Sequence, residues 1–457
     1  MIFNIFKSES STKNQYVATI AINIITLAHG CAIAWVSPTS SYLKSNETHL
    51  TDGPITATQS SWIGSLISIG ALINTFCYGK IADILGKKIS LIILLVPNVI
   101  FWLLIYFSTN VIHIYIARAI AGLTGGGLLR ILPLFTGEIA ESHVRGKLGA
   151  YFPLAMYGGM LLIFILGTYL DFFTIPLVML PFSIIFFFCM IFLPETPQYY
   201  LKKGENLKAL ESLKFYRSCS RDNEGKVKNE LESLRNAVNN VNIEKIEVKD
   251  FVEKSTLRGL SMSFFLTFIA SFSGNFAIMT YTADIFESSG SSLKPNESAM
   301  IVAFIQFIGI YVASICVDKF GRKILMSISC GGSSLFLCLM ATYAYLNDTM
   351  EIPNDLKWLP IFAVSCAIFL NAIGVASLPF MIITELVPHK IREFSVMIFM
   401  ALLTLFGFCN LKVFPILTEI IELHGCIWIY SGICLFGTFI TIFVMPETKG
   451  KNLFQNK

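Results

Sequence analysis

Charge is what this chain has least of: Asp, Glu, Lys and Arg supply 14% of its 457 residues, while 54% are hydrophobic. A soluble domain of ordinary composition is about 25% charged. At a mean hydropathy of +0.66 this chain lacks the polar surface to keep its apolar side chains from water. Other shortages narrow the function. The six histidines are scattered and nothing has metal-ligand spacing, so no metal site is expected. Neither a phosphate-binding glycine loop nor a nucleotide-binding domain is present, which argues against ATP-driven transport and any bound cofactor. No nucleophile, base and orienting group converge, as an enzyme would need. No pore-lining ring or filter is readable, as a channel would need. Lysines and arginines are interleaved with acids and leave a formal net charge of +4, so nucleic acid is not an expected partner. No small-residue cleavage pattern follows the first apolar run, which therefore reads as a span rather than a signal. The eleven cysteines fall mostly inside apolar runs and read as packing residues, not disulfides.

What the sequence has in abundance is long apolar runs. Stretches of about 17 to 25 apolar residues cross a hydrocarbon core of about 30 Å as helices. Twelve occur, centred near residues 27, 68, 98, 124, 160, 184, 270, 308, 335, 371, 406 and 436. The expected fold is an all-α membrane protein in contact with the lipid bilayer. A polar stretch between the sixth and seventh runs predicts four parts: a six-helix half at 1–194, a linker at 195–257, a second six-helix half at 258–446 and a tail at 447–457. The linker carries 12 Lys or Arg up to Lys254 among periodic Leu, Val and Phe, which predicts short amphipathic helices.

Placing both termini in the cytoplasm leaves 28 of the 34 Lys and Arg on that side, three in outer loops (Lys44, Lys294, Lys357) and three within spans. That bias fixes orientation. The three Asn-x-Ser/Thr sequons, at Asn46, Asn296 and Asn347, then fall in outer loops as glycosylation acceptors, which points to the plasma membrane.

The two halves also repeat. Gly79, Asp83, Gly86, Lys87 and Lys88 form GxxxDxxGKK after the second run, and Asp318, Gly321, Arg322 and Lys323 form DxxGRK after the eighth. Glu138 precedes Arg145 by seven residues, as Glu385 precedes Arg392, and Pro-Glu-Thr containing Glu195 and Glu447 closes each half. Partner offsets of 235, 247 and 252 residues describe two copies that drifted by small insertions. Such repeats suit a carrier with a site near the midplane, exposed alternately to either side. Ionic contacts among these loops would join the halves while the cavity opens outward and break as it opens inward. Each contact near water is worth roughly 0 to 1 kcal/mol, weak enough to be exchanged in a cycle.

As a set, these residues carry a resemblance. With Gln59-Ser60-Ser61-Trp62-Ile63-Gly64-Ser65, Arg118 followed by Gly122, and Pro133 before Gly137-Glu138, the chain resembles the sugar porter family of the major facilitator superfamily, and within it the insect facilitated trehalose transporter-like members. The resemblance implies a major facilitator fold of two pseudo-symmetric halves and a facilitative carrier for trehalose or a hexose, each chain working as a monomer. It also implies sugar-binding positions, and here the chain departs from the pattern. Ala270 and Ser271 stand at the seventh-helix glutamines and Phe276 at its asparagine; Asn275 comes one residue early, about 100° away on a continuous helix. Pro153 takes the fifth-helix glutamine position, Phe380 the tenth-helix tryptophan and Leu403 the eleventh-helix asparagine. The remaining candidates for substrate binding are Gln306, Tyr281, Thr280, Ser271, Asn275, Thr404 and a stacking Phe380. A pocket so short of polar groups leaves open a less polar solute, or a transport-weak sensor. The candidates for gating are Asp83, Lys87, Lys88, Glu138, Arg145, Glu195, Asp318, Arg322, Lys323, Glu385, Arg392 and Glu447.

Proton-driven members of the family are similar to one another in a first-helix aspartate, and this chain has no carboxylate there. His29 is the one titratable residue in that run and is expected to pack neutrally, which favours facilitated diffusion. Arg118 matches a structural family arginine. Arg130 matches none, and is expected to reach the inner interface or a neighbouring span, or else to face the central cavity and favour an anionic or strongly hydrogen-bonding solute.

Overall fold

The computed structural model describes residues 12–218, 224–239, 248–350 and 352–448. Lipid offers backbone amides and carbonyls no partner, so each apolar run satisfies its own as a helix. Among the described residues, eleven helical segments are long and apolar enough to cross a bilayer: α1 (Lys13–Lys44), α2 (Ala57–Leu85), α3 (Lys87–Tyr106), α4 (Val111–Ile139), α5 (Arg145–Tyr169), α6 (Thr174–Phe192), α7 (Thr256–Thr280), α8 (Pro295–Val317), α9 (Arg322–Thr349), α10 (Asn354–Ile373) and a 52-residue helix, Arg392–Phe443. At about 1.5 Å per residue that last helix would span roughly 78 Å, more than twice a hydrocarbon core. It is interrupted at Glu422, whose φ of 60° and ψ of 174° are not helical. Divided there into α11 (392–421) and α12 (423–443), it restores the twelve spans expected from the sequence.

The linker begins with two short helices, Pro197–Lys202 and Asn206–Tyr216, and continues as Glu224–Asn239 and Val248–Val252. The first two pack beneath the N-terminal half: Tyr216 is fully buried and donates to Pro194 O at 2.6 Å. Residues 449–457 of the expected tail lie outside the described residues.

Glycine places the spans. Gly70 and Gly122 let α2 and α4 touch backbone to backbone, because a methyl on either would strike a carbonyl of the facing helix. Arg118 then ties three helices, donating from α4 to Ile63 O of α2 at 2.8 Å and to Ala32 O of α1.

Packing separates the two membrane faces. On the face opposite the linker, one apolar core runs through both halves, from Ala28, Trp35 and Ile63 to Tyr281, Ala303 and Phe414. On the linker face the described residues form separate cores in each half, one around Ile22, Phe135 and Met190 with a small cluster at Ala140, Val144 and Leu148, the other around Met262, Met326 and Ile382. The far-face seam also holds polar contacts between halves: Ala283 N to Ser37 Oγ at 3.1 Å, Ser40 Oγ to Asp284 at 2.9 Å, and Lys44 to Asp284 at 2.9 Å. The halves are therefore fused on the far face and packed separately on the linker face.

Two of the three sequons sit in helices instead of the expected loops. Asn296 is in the first turn of α8, where Nδ2 donates to Pro38 O and Gly167 O at 3.3 and 3.5 Å, and Asn347 is in the last turn of α9. Asn46 is exposed in the loop after α1.

Candidate functional site

The two copies of the loop signature fold into two copies of one structure. Gly86 at φ 92° and Gly321 at φ 84° turn the chain out of α2 and α8, in a backbone region that glycine tolerates. The helix that follows each glycine starts with free amides, and the Pro-Glu-Thr glutamate of the same half accepts them. Lys88 N donates to Glu195 Oε2 at 2.8 Å; Arg322 N and Lys323 N donate to the two oxygens of Glu447 at 3.1 and 3.2 Å. A carboxylate here also complements the positive end of the helix dipole. Burial pushes the Glu195 carboxyl above its ordinary range, and the amides of Thr196 and Lys88 act the other way.

The basic residue after each glycine pairs with a glutamate of its own half, Glu138 in the last turn of α4 and Glu385 in a short helix, Pro379–Leu386, that follows α10. Lys87 meets Glu138, and Arg322 Nη2 lies 3.1 Å from Glu385 Oε1. In both glutamates Oε2 is buried without a partner among the described residues. Arg145 and Arg392 each donate to the carbonyl five residues back, Ala140 O and Val387 O, at 3.5 Å. Lys88 Nζ caps Ile191 O at 3.2 Å, and Asp83 is exposed. The side chain of Asp318 lies outside the described residues. Both ion pairs stay within one half, the arrangement expected when the linker face is not closed.

In the membrane, the candidate substrate residues divide. Gly274, at φ 88°, breaks α7 into Lys254–Phe272 and Asn275–Thr280. The expectation that Asn275 points away assumed a continuous helix. The break resets the register, and Gln306 Nε2 donates to Asn275 Oδ1 at 3.0 Å. Around the same break lie amides and hydroxyls that the sequence reading passed over. Asn371 Nδ2 donates to Ser273 Oγ at 3.1 Å, Asn410 Nδ2 to Ser271 O at 2.7 Å, and Tyr430 OH to Asn410 Oδ1 at 2.6 Å. Asn410 stands seven residues after Leu403, about two turns on, so it returns close to the same helix face. Asparagines in apolar spans were the available signal. The resulting belt crosses α7, α8, α10, α11 and α12, and Asn371 Oδ1 within it is buried with no partner among the described residues.

The other candidates are not presented in this way. Ser271 Oγ turns back to Thr267 O at 2.9 Å and Thr404 Oγ1 to Ala401 O at 2.8 Å, each bonded to its own helix. Thr280 is buried and Phe380 is exposed. Tyr281 closes the far face: its hydroxyl donates to Leu411 O at 3.0 Å and lies 3.5 Å from Ser60 O, and its ring stacks on Phe414 with centroids 5.4 Å apart. Beyond it is a far-face cavity of about 500 Å³, lined in part by Lys44, Asp284, Asp348, Glu419 and Glu422. Arg130 fills the space that a side chain at Gly79 would need, and its Nη1 reaches Met397 Sδ of α11 at 3.5 Å, so it spans to a neighbouring helix in the other half. His29 is buried against Gly125 with Nδ1 unpartnered, the packed position expected of it.

Comparison with known proteins agrees with this architecture. The family model described as sugar (and other) transporter matches residues 5–457. The facilitated trehalose transporter Tret1 of Drosophila mojavensis is 30% identical over 444 residues, covering 96% of this chain and 50% of that protein. Tret1 of Polypedilum vanderplanki is 29% identical, covering 96% of this chain and 86% of that one. The chain spans about half the length of the curated Drosophila relatives it matches. Among solved structures, the inward-open xylose transporter XylE from E. coli superposes with a TM-score of 0.79 at 18% identity, covering 95% of this chain and 97% of that one. That likeness is one of fold, the major facilitator fold of twelve helices in two six-helix halves.

Proposed function

The chain belongs to the sugar (and other) transporter family, and from that membership we propose that it is a facilitative carrier moving trehalose or a hexose by alternating access. The observation that carries this reading is the polar belt centred on Gln306 and Asn275. A sugar leaves water on entry, and each hydroxyl needs a fixed partner in exchange. Asn371 Oδ1, buried and unmatched, is an acceptor that a substrate hydroxyl would satisfy. The halves at 1–194 and 258–446 rock against each other, the belt lying in the second half, with 195–257 as their tether and 447–457 as a tail. One chain holds both, so it works as a monomer in the bilayer. In the far-face-closed state, Glu138 and Glu385 each keep a buried oxygen free for a partner from the opposite half.

The linker face is cytoplasmic, because it carries most of the Lys and Arg, and the membrane is the plasma membrane. Facilitated movement follows from the absence of a carboxylate in α1. Purified protein in liposomes is expected to equilibrate trehalose or a hexose without concentrating it, with or without a proton gradient. Uptake only of less polar solutes would overturn the substrate class, and gradient-driven accumulation would overturn the mode. The orientation has its own test. In a eukaryotic host, deglycosylation is expected to shift the wild-type protein on a gel, Asn46→Gln to abolish the shift and Asn296→Gln to preserve it. A shift unaffected by Asn46→Gln would contradict this placement of Asn46.

A further inference from the structure

Far from either end of its span, the ammonium of Lys412 pairs with no carboxylate among the described residues. Lys412, half-buried on α11, donates from Nζ to Ser61 Oγ at 2.7 Å and lies 3.9 Å from the centroid of the Trp62 ring. Ser61 and Trp62 belong to α2, so the contact joins the two halves. Phe408, one turn before Lys412 on α11, packs on the same indole with ring centroids 6.2 Å apart. Residues four apart share a helix face. Lys412 and Phe408 thus both engage Trp62.

The chemistry makes this contact depend on state. A cation in a span is costly unless something replaces its water. An indole face does so with a strength that grows as water leaves, and the serine oxygen accepts one of the three ammonium protons. Both partners sit on the opposite half, near the far-face end of α2. Separating the halves on that face removes both at once, whereas opening the linker face leaves them in place. A contact made in one of two states shifts the population toward that state.

We propose that Lys412 is a positioning residue of the transport cycle: clasped on Trp62 and Ser61, it holds α11 against α2 and biases the protein toward the state closed on the far face. This rests on the alternating-access reading, but not on which solute is carried. The competing account is a long side chain that merely snorkels to far-face water and holds nothing.

Hydrogen–deuterium exchange of the full-length protein in lipid nanodiscs, without sugar, separates the two. Lys412→Met is expected to speed amide exchange in the far-face parts of α2 and α11 by about tenfold, and to slow it in the linker-face loops as they close. Trp62→Leu is expected to do the same, and the double variant no more than either single one, because both remove one contact. Lys412→Arg, which keeps a cation on the indole, is expected to restore most of the wild-type protection. Wild-type exchange in Lys412→Met, additive effects in the double variant, or no rescue by arginine would each overturn the proposal. A chain that moved no sugar yet showed the shift would lose the transport reading and keep the clasp. A sugar carrier without the shift would do the reverse.

Discussion

Gln306→Leu is expected to lower kcat/KM for sugar uptake by about 10- to 100-fold while leaving the amount of protein in the membrane near wild type. The amide of Gln306 is buried and satisfies Asn275 Oδ1 across the break in α7. Without it, Asn275 faces the site with an unmatched acceptor, and a buried unsatisfied polar group costs about 1–3 kcal/mol. A sugar hydroxyl would lose one partner and meet another held less firmly. Thr404→Val is the comparison: that hydroxyl is bonded to its own helix, so its loss is expected to change uptake less than about twofold. Surface biotinylation beside initial-rate uptake provides the check. Equal effects of the two substitutions would remove Gln306 from the site.

The second large effect concerns folding. Gly86→Ala and Gly321→Ala are each expected to destabilise the protein by about 3 kcal/mol, because a residue with a side chain is strained at these φ angles. The new methyl would also displace the carboxylate that caps the next helix, Glu195 in one half and Glu447 in the other. Both should lower the monodisperse fraction recovered after heating in detergent, and to a similar degree, since the two loops are the same structure. Gly146→Ala has open space around it and serves as the control. A wild-type profile for Gly321→Ala would mean that the capped turn is not needed to hold its half together.

The fold was legible in the sequence because its determinants are local. Twelve apolar runs dictate twelve helices, and the repeated loops needed only glycine, a cation and a glutamate in the right order. The pairing of Lys87 with Glu138 and of Arg322 with Glu385 within each half, where contacts between the halves were expected, came only from the structure. The site was less legible, for a backbone reason. Helical spacing predicts side-chain directions only while the helix continues, and Gly274, by taking a positive φ, turned Asn275 back toward Gln306. Asn371, Asn410 and Tyr430 went unread because each is an ordinary polar residue in its own span and becomes part of a belt only when five helices meet. Lys412 and Trp62 are 350 positions apart, and neither has a sequence neighbour that announces the other. Asn296 carries a sequon, yet its nitrogen is spent on carbonyls of α1 and α5 that only the packed molecule brings near.

On the proposed transport route, the mouth of the far-face cavity would sort solutes before any of these residues is reached. Asp284, Asp348, Glu419 and Glu422 surround it with carboxylates, and its one ammonium, Lys44, is already paired with Asp284 at 2.9 Å. A concave surface of one sign focuses its field and changes the local concentration of anything charged. An organic acid or a sugar phosphate would be repelled from that mouth at low salt. An uncharged polyhydroxy molecule feels no such force, and reaches the closed tyrosine as readily at high ionic strength as at low.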